Sequence, residues 1–299
     1  MLDYQVFHTV PWGMKIAVYF WLVGASAGSF IISSLGWVFG IKKYKPVALP
    51  ASITAIILLL IVPIILILDL GKPERFWYLL RPDFWHAASP MAWGTLLIMA
   101  YPGAMLIYSW FVYKENEFQA KVWGLFSIIL AISTHWYTGV VMELNPSREI
   151  NHTSIAPLLF LTGAFISGIG FLITILFIRN FFLPTEKKIG KDMLTGMGRL
   201  MAWGLAFDLF LIFSELLQMS YGTADEIVAL NHILLGVFSV QFLWLEVIFG
   251  LIVPLIILFS GLGRSIAGVV IASILVDVGV MAMRQWWTIG GLYFQTYFQ

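Results

Sequence analysis

The sequence predicts an all-α integral membrane protein with eight transmembrane helices, and three observations agree on it. Its 299 residues are 60% hydrophobic and 11% charged, and the mean hydropathy of +0.91 lies outside the range of soluble domains. Apolar runs of at least ~19 residues recur along the sequence, each enough to cross a hydrocarbon core of ~30 Å at ~1.5 Å per residue. The charged residues gather between those runs instead of alternating with apolar ones.

Taken in order, residues 1–14 form a short polar and aromatic lead. Lys15 opens a charge-free run over Ile16–Ile41, far longer than a signal-peptide core and therefore read as a retained helix. Within it, Gly24-Ala-Ser-Ala-Gly28 is a small-xxx-small step that lets another helix approach closely. Lys42, Lys43 and Lys45 end it. The second span, Ala48–Leu68, and the third, Ser89–Tyr113, carry no charge, and Pro63 and Pro102 can kink them without breaking a membrane bundle. The fourth, Val122–Met142, contains His135, Tyr137, Thr138 and Gly139. A polar connection, Glu143–Thr153, leads to the fifth, Ile155–Ile178, where Gly163, Ala164, Ser167, Gly168 and Gly170 make a narrow packing face. Beyond a charged loop around Lys187, Lys188 and Lys191, the sixth runs about Leu200–Tyr221. The seventh is Leu234–Phe259 and the eighth Ser265–Met283. The tail from Arg284, with Trp286, Trp287, Tyr293, Phe294, Tyr297 and Phe298, is expected to lie along the membrane interface.

Eight spans put both termini on one side. Of the seventeen Lys and Arg residues, eleven (Lys42, Lys43, Lys45, Lys114, Lys121, Arg179, Lys187, Lys188, Lys191, Arg199, Arg264) fall on the opposite side. Six (Lys15, Lys72, Arg75, Arg81, Arg148, Arg284) fall on the side of the termini. The positive-inside rule makes the richer side cytoplasmic and both termini external. The net charge of +1 gives no sign of nucleic-acid binding. The absence of cysteine removes disulfides, thiolate metal sites, c-type haem attachment and any iron–sulfur cluster of the protein's own. Membrane haem is also disfavoured: of His8, His86, His135, His152 and His232, only His135 falls well within a span.

The most distinctive stretch joins the second and third spans: DLGKPERFWYLLRPDFWHAASPMAWG, Asp69–Gly94. It mixes Lys72, Arg75 and Arg81 with Asp69, Glu74 and Asp83, and its prolines at 73 and 82 favour a structured turn. Phe76, Trp77, Tyr78, Phe84 and Trp85 suit a membrane–water boundary. The order D-L-G-K-P-E-R-F-W followed by S-P-M-A-W-G closely resembles the corresponding loop of the polysulfide reductase membrane-subunit, or NrfD-like, family. The resemblance extends over the whole sequence, more weakly after about residue 155. It implies two four-helix bundles, residues 1–153 and 154–299, with a quinone pocket in the first. It also implies a prokaryotic inner-membrane subunit that exchanges electrons between a quinone, with menaquinone the expected type, and a four-cluster ferredoxin-like iron–sulfur partner. That partner is joined to a molybdenum-containing catalytic subunit and docks over residues 69–93, where Lys72, Glu74, Arg75 and Arg81 are the candidate contacts. Arg75 could equally be neutralised within the loop by Asp69 or Glu74.

A quinone site needs an apolar slot and one or two groups that hydrogen-bond the carbonyl oxygens. Tyr137, in a Tyr-Thr-Gly, resembles the family's fourth-helix quinone-binding tyrosine, although a tyrosine near the interface also serves as a belt residue. A histidine and an asparagine of the first helix are implicated in the family, and Tyr19 and Lys15 stand in those places here. They lie four apart and so share a face. His135 is a further candidate, but two residues from Tyr137 it points to roughly the opposite face. The expected catalytic substrate is handled elsewhere, so no catalytic or metal-ligating residue is assigned.

The second half instead carries acids within spans: Asp208, Glu215, Glu246 and Asp277. Asp208 and Glu215 are seven apart, about two turns, and share a face. An acid at mid-bilayer costs ~2.5–3.5 kcal/mol on insertion scales, so such groups usually face the bundle interior, paired or protonated. They serve either as helix glue, for which Asp277 and Arg284 share a face, or as a proton relay. A secondary transporter or proton channel is the competing class. It predicts inverted-repeat symmetry and broken helices, and no clear internal repeat is visible.

Overall fold

The computed structural model describes residues 12–81, 83, 86, 88–144 and 153–293. His8, His152, Arg148, Phe84, Trp85 and the tail residues Phe294, Tyr297 and Phe298 lie outside them. The described residues contain no strand and include eight helices long and apolar enough to cross a membrane. These are α1 (Met14–Trp37), α2 (Lys45–Asp69), α3 (Pro90–Tyr113), α4 (Glu117–Glu143), α5 (Ala156–Phe182), α6 (Lys191–Ser220), α8 (Val240–Phe259) and α9 (Ile266–Tyr293). A shorter α7, Ala224–Leu234, joins α6 to α8. Thr223 and Glu226 close a reciprocal capping box at its start, satisfying amide protons that the first turn leaves free.

The small-residue faces read from the sequence meet each other. A β-carbon on Gly24 would lie 3.3 Å from the Ala164 Cα, and one on Gly28 would lie 2.6 Å from the Gly168 Cα. The pairs advance by four residues on each helix, so α1 and α5 run parallel in one register. Phe20 continues it by packing edge-on against Phe160, with ring centroids 5.6 Å apart. Ser29 Oγ donates to the Ala25 carbonyl at 2.8 Å and the Gly168 carbonyl at 3.1 Å. In lipid no hydrophobic effect drives helices together, so close backbone approach and such bonds carry the association. The apolar core built around this seam takes in Tyr19 and Val23 from α1, Ile166 from α5, Met201 from α6 and Val276 from α9.

Two features depart from the sequence reading. The described part of the expected interfacial tail is helical instead: α9 continues through Arg284, Trp286 and Trp287 to Tyr293, and the side chains of Arg284, Trp286 and Trp287 are buried. Packing of the two tryptophans against Phe160 and Phe242 outweighs the usual preference of tryptophan for the interface. The first part of α8, Val240–Ile252, is wound as a π-helix before becoming α-helical over Val253–Phe259. It crosses α9 where Gly250 and Gly279 come together, a β-carbon on Gly250 falling 2.5 Å from the Gly279 Cα. The helices are antiparallel, so Glu246, four before the crossing, faces Trp286, seven after it.

Candidate functional site

Two polar regions stand out in the apolar bundle. The first lies at the end that carries the start of α1 and the connection from α2 to α3. Tyr19 is 4% exposed and stacks on Phe20 with centroids 4.9 Å apart. The half-buried Tyr137 of α4 comes within electrostatic range of Tyr19. Gly94, in the first turns of α3, makes room for the Tyr137 ring, which any β-carbon there would overlap. The conformational cost of a glycine inside a helix is thus offset by letting a phenol reach between α1, α3 and α4. Lys15 is exposed, and its Nζ donates to the Leu68 carbonyl at 3.2 Å, so it ties α1 to the carbonyl-rich end of α2.

His135 is on the other side of α4. It is 1% exposed, and its Nδ1 is 2.8 Å from the Ala131 carbonyl. Since a carbonyl only accepts, Nδ1 carries the hydrogen. The ring borders an apolar cavity between α1, α4 and α5, lined also by Ala27, Phe30 and Phe165. Tyr19 and Tyr137 thus lie toward one end of the bundle, and His135 borders a cavity on the other side of α4.

The second region lies among α5, α6, α8 and α9. Asp208 is 3% exposed and bonded to the Thr162 hydroxyl of α5. Glu215 accepts from Thr153 Oγ1 at 2.6 Å, so the two acids of α6 do share a face, turned toward α5 and the residues that precede it. Glu246 is 3% exposed and accepts from Trp286 Nε1 at 2.5 Å. Glu215 and Glu246 line one cavity together with Trp286, Trp287 and Phe242. Asp277 stands apart, with Oδ1 buried and unpartnered. Despite the seven-residue spacing, it forms no ion pair with Arg284 among the described residues.

Arg284 is 1% exposed. Its Nη2 donates to the Phe160 carbonyl at 2.8 Å, and the guanidinium lies 3.9 Å from the Phe160 ring centroid. Gly163 leaves the space it occupies: a β-carbon there would sit 3.0 Å from Nη2. Sequence reasoning missed Trp286, Thr153 and Thr162 as members of this region, and it set Arg284 beside Asp277 instead of Phe160. The available signal was the apolar Thr288–Leu292 segment beyond Arg284, which allows the last span to continue past the charge.

The connection over residues 69–93 includes a 3₁₀ turn, Pro73–Leu80; Lys72, just before it, and Glu74 and Arg75 within it are exposed. Phe76 and Trp77 are exposed as well. Arg81 pairs with Asp83 at 2.6 Å and lies over the Trp77 ring. Among the described residues, no ion pair joins Arg75 to Asp69 or Glu74.

This arrangement defines a polytopic membrane protein with a phenol pair at one end and buried charge in its interior. The protein belongs to the polysulphide reductase, NrfD family, whose profile matches residues 4–294. It is 31% identical to the C chain of the polysulfide reductase of Wolinella succinogenes, over 94% of each sequence. It is 29% identical to the Hdr-like menaquinol oxidoreductase integral membrane subunit of Archaeoglobus fulgidus, over 95% of its own length and 72% of that protein. Similarity to the C subunit of the selenate reductase of Mesobacillus selenatarsenatis is 25% identity, over 91% of its own length and 72% of that protein.

Proposed function

We propose that this protein is the quinone-reactive membrane subunit of a respiratory oxidoreductase complex. Its relatives are named as subunits of two reductases and as the integral membrane subunit of a menaquinol oxidoreductase, which supports the class. The observation that carries the site is the seating of the Tyr137 ring against Gly94, at the end of the bundle that also holds the buried Tyr19. Two phenols at that end suit the carbonyl oxygens of a quinone head group, and the buried Ile16 and Phe20 supply apolar walls nearby. When bound, a quinone supplies two-electron, two-proton redox chemistry. Tyr137 and Tyr19 orient the head group, and Lys15 holds the adjoining helix ends together.

The exposed basic and aromatic surface of residues 69–93 receives the iron–sulfur subunit, with a molybdenum-containing subunit beyond it. That surface and both termini face outward across a prokaryotic inner membrane. The halves 1–153 and 154–299 act as quinone-binding and proton-conducting bundles joined along the α1–α5 seam. Glu246, Glu215 and Asp208 pass protons through the second half, a reading supported by the cavity shared by Glu215 and Glu246. Asp277, nearer the opposite face, extends the route.

Tyr137→Phe tests the quinone site, since it removes a hydroxyl and keeps most of the packing. One hydrogen bond contributes ~0.5–1.5 kcal/mol net, so quinol turnover should fall a few-fold to about tenfold while the abundance of the complex holds. Unchanged quinol kinetics would return Tyr137 to the aromatic belt.

A further inference from the structure

Arg284 has five N–H donors and no way to lose its charge in ordinary conditions. Nη2 is satisfied by Phe160, yet Nε and Nη1 are buried without an acceptor. Asp208 on α6 is bonded to Thr162, on the same turn of α5 as Phe160 and Gly163, which border the guanidinium, and Glu246 on α8 is bonded to Trp286, two residues beyond Arg284 on α9; neither acid forms an ion pair with Arg284 among the described residues. His135 on α4 is 1% exposed, its Nδ1 donates to the Ala131 carbonyl and no acid pairs with it among the described residues, a setting that favours the uncharged imidazole.

Three charge states are then open to the trio of Arg284, Asp208 and Glu246. With both acids protonated the trio is +1, with one protonated it is neutral, and with neither it is −1. A net charge removed from water is costly, and a balanced set of charges is less so. The neutral state therefore prevails, with one proton between two carboxyls. The partners of both acids accommodate either location. The Thr162 hydroxyl has one hydrogen and three acceptors in reach: Asp208, the Leu158 carbonyl at 3.1 Å and the Leu159 carbonyl at 3.2 Å. It donates to Asp208 when that acid is ionised, and can turn to its own helix and accept when Asp208 is protonated. Trp286 donates to one oxygen of Glu246, and the other oxygen is left to carry a proton or not.

We propose that Arg284 makes Asp208 and Glu246 share a single proton, so that the two acids work as one proton-holding unit with Arg284 as its positioning residue. This deepens the proton-relay reading and rests on it for its purpose, but the charge state itself is open to measurement without turnover.

The experiment is infrared spectroscopy of the complex in nanodiscs at neutral pH, recording the hydrogen–deuterium-sensitive carbonyl band of protonated carboxyls. Spectra of Asp208→Asn and Glu246→Gln are each subtracted from that of the otherwise identical protein, all on a Glu215→Gln background so that the acid sharing the Glu246 cavity adds nothing to the difference. Each substitution alone should remove the same one-carboxyl intensity, because the remaining acid ionises against Arg284. Arg284→Gln should add a second carboxyl, and Arg284→Lys should leave one. If only one of the two acid substitutions removes the band, the proton is fixed on that residue and the proposal is overturned. It is equally overturned if Arg284→Gln folds and leaves the intensity unchanged. The two acid variants decide the matter if Arg284→Gln does not assemble. If the band behaves as expected while Glu246→Gln still builds a full membrane potential during turnover, the shared proton stands and the relay reading falls.

Discussion

Replacing Glu246 with glutamine separates the proton chemistry of this side chain from its packing. The residue is 3% exposed and accepts from Trp286 Nε1 at 2.5 Å. Glutamine has nearly the same shape and keeps a carbonyl oxygen for that N–H, so the change at most turns a charge-assisted bond of about 1.5–3 kcal/mol into a neutral one of about 0.5–1.5 kcal/mol. The expected structural loss is therefore about 1 kcal/mol. Glu246→Leu, by contrast, would leave a buried indole N–H unpaired, at a cost of about 1–3 kcal/mol. If the quinone pocket and the iron–sulfur partner lie toward the same face, electrons cross little of the membrane. Charge separation then depends on protons moving through the protein. Glu246→Gln in proteoliposomes containing the complex should retain quinol turnover and lose the membrane potential that accompanies it. Retention of both would refute the reasoning and leave Glu246 a packed structural acid.

Gly94→Ala should slow quinol turnover without loss of assembly, because the new methyl displaces the Tyr137 ring; quinol kinetics on the purified complex are the check. Gly168→Leu should greatly reduce the amount of folded protein recovered in detergent, since a β-carbon there already lies 2.7 Å from the Ala25 carbonyl of α1 and overpacking costs about 1–3 kcal/mol or more. Lys72→Cys should react with an impermeant thiol reagent from the outer side, and only when the iron–sulfur partner is removed. Labelling from the cytoplasmic side would invert the topology.

The eight spans were legible because length and apolarity are properties of consecutive residues, and the bilayer fixes how many are needed. The mutual fit of the Gly24–Gly28 step and the small face of α5 was legible in kind, as two surfaces seeking close partners. That they seek each other, in register from Phe20–Phe160 to Gly28–Gly168, is a property of three dimensions. The loop from Asp69 to Gly94 showed the family, and the sequence placed Tyr137 and Tyr19 as site candidates one at a time. The role of Gly94 in seating the Tyr137 ring was invisible, because α3 and α4 approach there through folding. The charge at Arg284 ends the eighth span at Met283 on the sequence alone, and spacing offers Arg284 only Asp277 as a partner. A lone arginine reads as the edge of a membrane segment until a carbonyl and an aromatic face from another helix are found against it. Sequence by itself thus determined the number of membrane-spanning helices, their small-residue faces and the four acids that lie inside them. Tertiary structure alone decided which of those groups meet, because electrostatics in a low-dielectric interior depends on distance through space and not on spacing along the sequence.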